Sequence, residues 1–219
     1  MTWLYLLAAI VLFAAPLASP LPGDAAVADL IRALELQTQV PNLVSGVILH
    51  TRLFDTVAEV VVFTLAAIGV KLVLAGQPAR QRIRGLEDPP SQVLCELGST
   101  IAALVAAELA LRGHLSPGGG FAAGVAGGTA IGLQLISGGA ERSERLFVRY
   151  RADLLEKAAV LGFLLVALLA LLGITPATGR FGELLSGGWI PLLNILVALK
   201  VTLGSWSMVQ RMVRHCGLL

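Results

Sequence analysis

Six long apolar runs constrain what this chain can fold into. They lie at roughly 2–19, 54–76, 94–111, 118–137, 155–174 and 188–209. Each approaches the length of about 20 residues that a helix needs to cross a bilayer. Only 14% of the residues are charged, whereas a soluble domain averages about 25%. The sequence therefore predicts an all-α membrane protein with about six transmembrane helices.

The first apolar run has two interpretations. Its end, Leu17-Ala18-Ser19 followed by Pro20, resembles the small-residue cleavage region of a signal peptide. The run lacks the basic start that signal peptides carry. We therefore expect a helix that is retained.

The basic residues predict the orientation, because Lys and Arg accumulate in cytoplasmic loops. Six spans place the three Arg-rich regions on the same side. These regions contain Arg80, Arg82 and Arg84, then Arg142, Arg145, Arg149 and Arg151, and finally Arg211 and Arg214. Both termini are then cytoplasmic, and the protein lies in the inner membrane. Cys95 and Cys216 would also lie at the cytoplasmic face, where thiols stay reduced.

The first outer loop contains a helical pattern. Val27, Leu30, Ile31 and Leu34 recur at helical spacing, and Asp24 is placed to act as the N-cap. This pattern favours a short amphipathic helix on the outer membrane surface. A plain connector is the alternative.

Charged side chains cluster at the start of the second span. Arg52, Asp55 and Glu59 lie on one helix face, and Lys71 follows three turns after Glu59. Arg52 and Asp55 can form an interfacial ion pair, while Lys71 can extend to the cytoplasmic surface. Glu59 is flanked by apolar residues, and a charge in the bilayer costs about 2.5–3.5 kcal/mol on insertion scales. We therefore expect Glu59 to take part in proton or ion movement, or to bind a polar group of a neighbouring protein.

Two further charges fall inside predicted spans. Glu108 precedes Arg112 by four residues, which favours an ion pair on one helix. Lys200 lies in the middle of the last span near Asn194. An interhelical pair of Lys200 with Glu59 or Glu108 is a reasonable hypothesis, and the sequence does not decide between them.

His114 is a lone histidine in a short outer loop. A metal site needs further ligands, and none is close in sequence. A structural hydrogen bond is the simpler interpretation, and a pH-sensitive contact is the alternative. His114 is also a candidate for contact with an ion path, as are the charged residues within the spans, Asp55, Glu59, Lys71, Glu108 and Lys200.

Glycines dominate the segment that follows His114. Ser116 and Pro117 are typical of an N-cap and a first helical position, which puts the triplet Gly118, Gly119 and Gly120 in the first helical turn. Glycines then recur every four residues at Gly124, Gly128 and Gly132. This small-residue stripe permits close helix packing. A phosphate loop is excluded by the absence of a following Lys-Ser or Lys-Thr.

Two resemblances to a known assembly cover most of the chain. The segment GHLSPGGGFAAG resembles the signature of the B-type component of Mrp-type multisubunit cation/proton antiporters, the MnhB-like domain. The matching residues are His114, Pro117, Gly118, Gly119, Gly120, Phe121 and Gly124. Ala123 stands where a glycine is commoner. The resemblance implies that residues 94–219 form this module and that its glycine groove faces a neighbouring component of the complex.

The segment NLVSGVILHTRLFDTVAE resembles the C-terminal part of the large A-type component of the same antiporters, which also occurs as the separate E-type component of membrane-bound hydrogenases. The shared residues are Asn42, Ile48, Leu49, Arg52, Phe54, Asp55, Thr56 and Glu59. Ala58 replaces a frequent glycine. By this resemblance residues 1–77 form a second module, and the basic linker 78–93 joins the two.

The resemblance implies an accessory subunit that braces or lines an ion path. Its partners would be large antiporter-like subunits and small B-, C-, E-, F- and G-type subunits, and its ions Na⁺ or another monovalent cation and protons. The alternative is a structural component of a membrane-bound hydrogenase or of another redox or inorganic-carbon complex. The sequence has no nucleotide motif, metal cluster or nucleophile–base pair, so we expect no cofactor and no enzymatic activity. It also lacks a basic, aromatic-rich patch for nucleic acid.

Overall fold

The computed structural model describes residues 2–18, 23–78 and 85–216. Most of these residues are helical, and none of them forms a β-strand. Nine α-helices can be assigned in these ranges. They are α1 (Thr2–Ala18), α2 (Asp24–Thr38), α3 (Leu43–Gly46), α4 (Leu53–Leu74), α5 (Pro89–Arg112), α6 (Gly120–Gln134), α7 (Ala140–Arg149), α8 (Ala152–Leu171) and α9 (Ile190–Cys216). Two π-helical turns, Val47–Thr51 and Leu135–Gly139, precede α4 and α7.

Five helical segments are long and apolar enough to cross a membrane. They are α4, α5, the continuous segment Gly120–Arg149, α8 and α9. The prediction of an all-α, multi-pass membrane protein is thus confirmed. The first predicted span is also helical, but its apolar part, Trp3–Ala14, is shorter than the other five. The cytoplasmic position of the termini stays a prediction, and Arg80, Arg82 and Arg84 lie outside the described residues.

The chain divides into two compact units, Met1–Ala33 and Leu34–Leu219. The first contains α1 and most of α2. The predicted outer-loop helix is confirmed, although α2 begins at Asp24 itself, and the Val27 N–H donates to the Gly23 carbonyl at 3.1 Å. Leu30 and Ile31 are exposed on this helix. Its position on the membrane surface stays a prediction.

The second unit is organised around α9. Helices α4, α6 and α8 all pack against it, and buried apolar side chains of α4, α8, α9 and the segment before α4 form one core. This core contains Val40, Leu49, Leu53, Val60, Phe163, Val166, Ala167, Ile190, Leu193, Val197 and Val201. Lipid is as apolar as these side chains, so close packing rather than the hydrophobic effect holds such helices together.

The glycine stripe of α6 packs against α9 of the same chain. A Cβ atom on Gly120 would lie 2.5 Å from the Asn194 carbonyl oxygen, and one on Gly128 would lie 2.8 Å from Ser205 Cβ. Gly124 leaves no room for a side chain beside Val201. The expectation that this groove faces a neighbouring component is therefore wrong for these three glycines. Gly132 is different, because nothing lies within 4 Å of a Cβ atom there.

The glycine triplet begins before α6 rather than inside it. Helix α6 starts at Gly120, so the predicted N-cap at Ser116 and first turn at Pro117 are wrong. Gly118 and Gly119 have φ angles of +145° and +115°, which residues other than glycine rarely adopt. A Cβ atom on Gly118 would also lie 2.5 Å from Leu109 Cδ2. The turn needs glycine for both reasons.

The segment before α5 packs on the bend between α6 and α7. Asp88 is the N-cap of α5 and accepts a hydrogen bond from the Ser91 N–H at 3.1 Å, which explains why the helix starts earlier than the predicted span. The Leu86 N–H donates to the Ile136 carbonyl at 2.9 Å. The bend itself lies at Gly138, which has a φ angle of +92°. Residues 79–84 of the predicted linker 78–93 lie outside the described residues.

Candidate functional site

The predicted ion pair at the start of α4 is present. Arg52 Nε donates to Asp55 Oδ2 at 2.6 Å, and both side chains are at least half exposed. The π-helical turn positions this end of the helix, because the Arg52 N–H bonds to the Val47 carbonyl and Thr56 Oγ1 donates to the Ile48 carbonyl at 3.0 Å. Exposed ion pairs contribute little to stability. This pair therefore adds two charges to the surface at the start of α4 and contributes little to the stability of the fold.

Glu59 lies one turn deeper along α4 and is exposed on the surface of the chain. It forms no ion pair with any described residue. We expected this carboxylate to be buried, but the described residues of its own chain do not bury it. In the most apolar stretch of α4 only 6% of the residues are buried. Most of this helix therefore faces away from the rest of the chain.

The predicted pair on α5 also forms. Arg112 Nη1 lies 3.4 Å from Glu108 Oε1, and both side chains are more than half exposed. Glu108 therefore does not face the interior, and it is not the partner of Lys200.

Lys200 is fully buried, and it pairs with Glu156 of α8. The hypothesis that its partner is Glu59 or Glu108 is wrong. Glu156 is itself only 8% exposed. Removing one partner of a buried pair leaves an uncompensated charge that costs about 3–5 kcal/mol, so the two residues depend on each other.

The Lys200 ammonium has a second neighbour in the aromatic ring of Phe63 on α4. Nζ lies 5.3 Å from the ring centroid, within the range of a cation–π interaction. Gly204 makes room for this arrangement, because a Cβ atom there would lie 2.7 Å from Phe63 Cε1 and 3.2 Å from Glu156 Oε1. Helices α4, α8 and α9 thus meet around one buried charge.

A cavity of about 340 Å³ adjoins this pair. It lies between α4, α8 and α9, and six charged side chains are among the residues that line it. These are Lys71, Asp153, Glu156, Lys157, Lys200 and Arg211. Asp153 and Lys157 form their own exposed pair, with 2.7 Å between Oδ2 and Nζ. Lys71 is exposed near the end of α4, as expected for a side chain that extends to the membrane surface.

At the other end of the helices, the segment that begins at Asn42 meets the glycine-rich segment that begins at Gly113. The Asn42 side-chain Nδ2 donates to the carbonyls of Gly113 and Ser116 at 2.6 and 2.8 Å, and the Ser45 hydroxyl donates to the Gly113 carbonyl at 2.7 Å. Asn194 of α9 donates to the carbonyls of Leu109 and Ala110 on α5. These amides satisfy carbonyls at the end of α5 that have no partner within the helix.

His114 is fully buried at this end. Neither ring nitrogen has a hydrogen-bond partner among the described residues, although the His114 carbonyl accepts from the Asn42 N–H at 3.2 Å. The expected structural hydrogen bond from the ring is therefore absent there. Burial lowers the pKa of the imidazole below its ordinary value, and the nearby backbone of Leu184 and Glu183 acts in the opposite direction.

Sequence reasoning missed Glu156. A signal was available, since this carboxylate falls within the predicted span 155–174 and Lys200 requires an anionic partner. The partner could not be chosen because spacing along a chain does not show which helices are neighbours.

Comparison with known protein families gives one match. The family model for a domain related to the MnhB subunit of Na⁺/H⁺ antiporter matches residues 90–207. No curated protein is similar enough in sequence to count as a match.

Two solved structures share the fold. One is a chain of the membrane-bound sulfane sulfur reductase, an archaeal respiratory membrane complex, with a TM-score of 0.71, 22% identity, and coverage of 97% of this chain and 96% of that one. The other is a chain of the Mrp complex from Dietzia sp. DQ12-45-1b, with a TM-score of 0.67 and 21% identity; the match covers 98% of this chain and 26% of that one.

The fold defines a multi-pass membrane protein. Both solved structures that share it are chains of membrane complexes. The chain belongs to the family of domains related to the MnhB subunit of Na⁺/H⁺ antiporter. The family is described by its relation to an antiporter subunit, which supports a subunit of a cation/proton antiporter-type complex.

Proposed function

We propose that this protein is an accessory inner-membrane subunit of an Mrp-type cation/proton antiporter or of an ion-pumping module derived from one, and that it lines or braces the ion path. Its partners are the large antiporter-like subunits and the small B-, C-, E-, F- and G-type subunits. The ions are Na⁺ or another monovalent cation and protons.

The exposure of Glu59 carries this proposal. The carboxylate lies within a membrane-spanning helix, faces out of the chain and has no cationic partner among the described residues. Such a charge facing lipid is costly. A neighbouring protein therefore covers this face of α4, and a carboxylate at an interface between proteins can receive a cation or a proton.

We further propose that the chain joins two modules that are separate parts of related complexes. Residues 1–77 correspond to the C-terminal segment of the large A-type component or to the E-type component of membrane-bound hydrogenases. Residues 94–219 correspond to the B-type component. The match of 98% of this chain to 26% of the longer Mrp-complex chain is compatible with such a contiguous unit.

A respiratory complex is the second candidate host. The chain from the sulfane sulfur reductase complex matches this one over nearly the whole length of both. In that case the chain serves as a structural membrane component, and the redox chemistry resides in other subunits. Identifying the subunits that copurify with the tagged protein discriminates the two hosts.

Glu59→Gln in the intact complex tests the ion-path role. We expect cation-driven proton movement in inverted vesicles to fall while the complex still assembles, because the substitution removes charge and keeps the shape. The matched control is Glu141→Gln on α7, whose carboxylate is exposed and lies 3.8 Å from Arg145. Transport by Glu59→Gln equal to that of the control would rule out this role.

A further inference from the structure

The buried pair of Glu156 and Lys200 has features that a purely structural contact does not need. Replacing a buried ion pair with apolar side chains is often neutral or stabilising. A pair kept inside a membrane protein therefore calls for a reason other than stability. Ionisable groups in such positions generally mark routes for ions or protons.

The cavity beside the pair supplies a route to water. Its volume of about 340 Å³ is enough for several waters, each of which occupies about 30 Å³ in the liquid. Thr64 and Ser207 add hydroxyl groups to the wall. The charged side chains offer the polar partners that enclosed waters require.

The residues that line the cavity extend to one end of the helices. Lys71 is near the end of α4, Asp153 is in the first turn of α8, and Arg211 is in the last part of α9. Glu156 lies one turn further in than Asp153. Lys200 precedes Arg211 by eleven positions in the sequence, which corresponds to about 16 Å along a helix.

We propose that Glu156 and Lys200 form a proton-exchange site that is reached by water from the end of the bundle where Lys71, Asp153, Lys157 and Arg211 lie. This inference rests on the proposed role in proton and cation movement. The charged groups named here are those that line the cavity together with Glu156, from α4, α8 and α9.

The exchange step transfers one proton. A hydronium ion in the cavity gives a proton to the Glu156 carboxylate, which yields water and a neutral carboxylic acid. The Lys200 ammonium keeps its own proton but loses its anionic partner, and the ring of Phe63 remains beside it. The reverse step returns the proton to water and restores the ion pair.

Phe63 links this site to the outward face of α4. It follows Glu59 by four residues on the same helix, and residues at this spacing are neighbours on a helix surface. Phe63 therefore adjoins both the Lys200 ammonium and the part of α4 that carries Glu59.

The double variant Glu156→Gln/Lys200→Met is the main test, because Glu156→Gln alone leaves a buried ammonium without its partner. Infrared difference spectra of the purified complex, recorded across a pH range, should show a carboxylic-acid band in the wild type that the double variant lacks. Glu108→Gln, which alters an exposed pair, should retain the band. A band of equal size in the double variant would overturn the proposal.

Access to water is tested separately with Thr64→Cys in a background of Cys95→Ser and Cys216→Ser. We expect a membrane-impermeant thiol reagent to modify this cysteine from the side of Arg211 only. Modification from neither side, or from the opposite side, contradicts the proposed route. Thr175→Cys, an exposed position in the loop between α8 and α9 at the other end of the bundle, is the control for sidedness.

Transport separates a proton site from a structural pair. The double variant should assemble and lose proton movement, whereas a structural pair would leave movement at the wild-type level. The infrared and labelling results do not depend on which complex hosts the chain. If they succeed and the double variant lowers transport while Glu59→Gln does not, the exchange site stands and the proposed ion-path role of Glu59 fails.

Discussion

A hydrogen bond of 2.6 Å joins Asn42 Nδ2 to the Gly113 carbonyl, across 71 positions of sequence. The same amide donates to the Ser116 carbonyl and caps α3, by accepting from the N–H groups of Val44 and Ser45. One side chain thus connects the turn before α4 with the glycine-rich turn before α6. Both belong to the segments whose residues carry the family resemblances.

Asn42→Ala should destabilise the protein by about 1–3 kcal/mol, because it leaves buried carbonyls with fewer donors. The measurement is the thermal unfolding midpoint in detergent. Thr129→Val is the control, since its hydroxyl bonds only to the Val125 carbonyl on an exposed helix face. Equal midpoints for the two variants would show that the Asn42 contacts contribute nothing.

Gly124→Leu should disrupt the packing of α6 on α9. A side chain at this position meets Val201 and lies 3.1 Å from the Ala198 carbonyl, and forcing extra atoms into a packed interface typically costs about 1–3 kcal/mol or more. We expect a lower unfolding midpoint and a lower yield of assembled complex. Gly132→Leu provides a matched control on the same helix because its surroundings are open. Normal assembly of Gly124→Leu would contradict the close approach of these helices.

Stability should fall as the pH drops below the ordinary histidine pKa of 6.5. Burial lowers the pKa of His114 in the folded protein, so the unfolded chain binds more protons in this window. The stabilisation is complete above pH 6.5 and is lost progressively at lower pH. His114→Gln should flatten the decrease in unfolding midpoint between about pH 7 and 5.5. His50→Gln, which alters an exposed histidine, should keep the wild-type profile.

The parts of the fold that depend on local sequence were predictable. Apolar runs predicted five of the spans, and spacings of three and four residues identified the pairs Arg52–Asp55 and Glu108–Arg112. These features form within one helix, whose geometry is known in advance. The first apolar run, which we also predicted to be a span, is not among these five because its apolar stretch is shorter.

Features that depend on which helices are neighbours were not predictable. Lys200 pairs with Glu156, which precedes it by 44 residues in the sequence. The spacing of charged residues along a sequence does not show which of them are close in space. The glycine repeat indicated a face suited to close packing, but it did not identify α9 as the helix that covers this face. The start of α6 was misplaced because Ser-Pro is a frequent helix signal, whereas here Gly118 and Gly119 continue the turn.

The central position of α9 has an evolutionary consequence. Within its most apolar stretch 44% of the residues are buried, compared with 6% in α4. Substitutions in α9 must therefore satisfy several helices of the same chain at once. Substitutions on the outward face of α4 are constrained instead by whatever molecule covers it. Helix α9 should change slowly in all descendants of this chain, and α4 should change together with its partner.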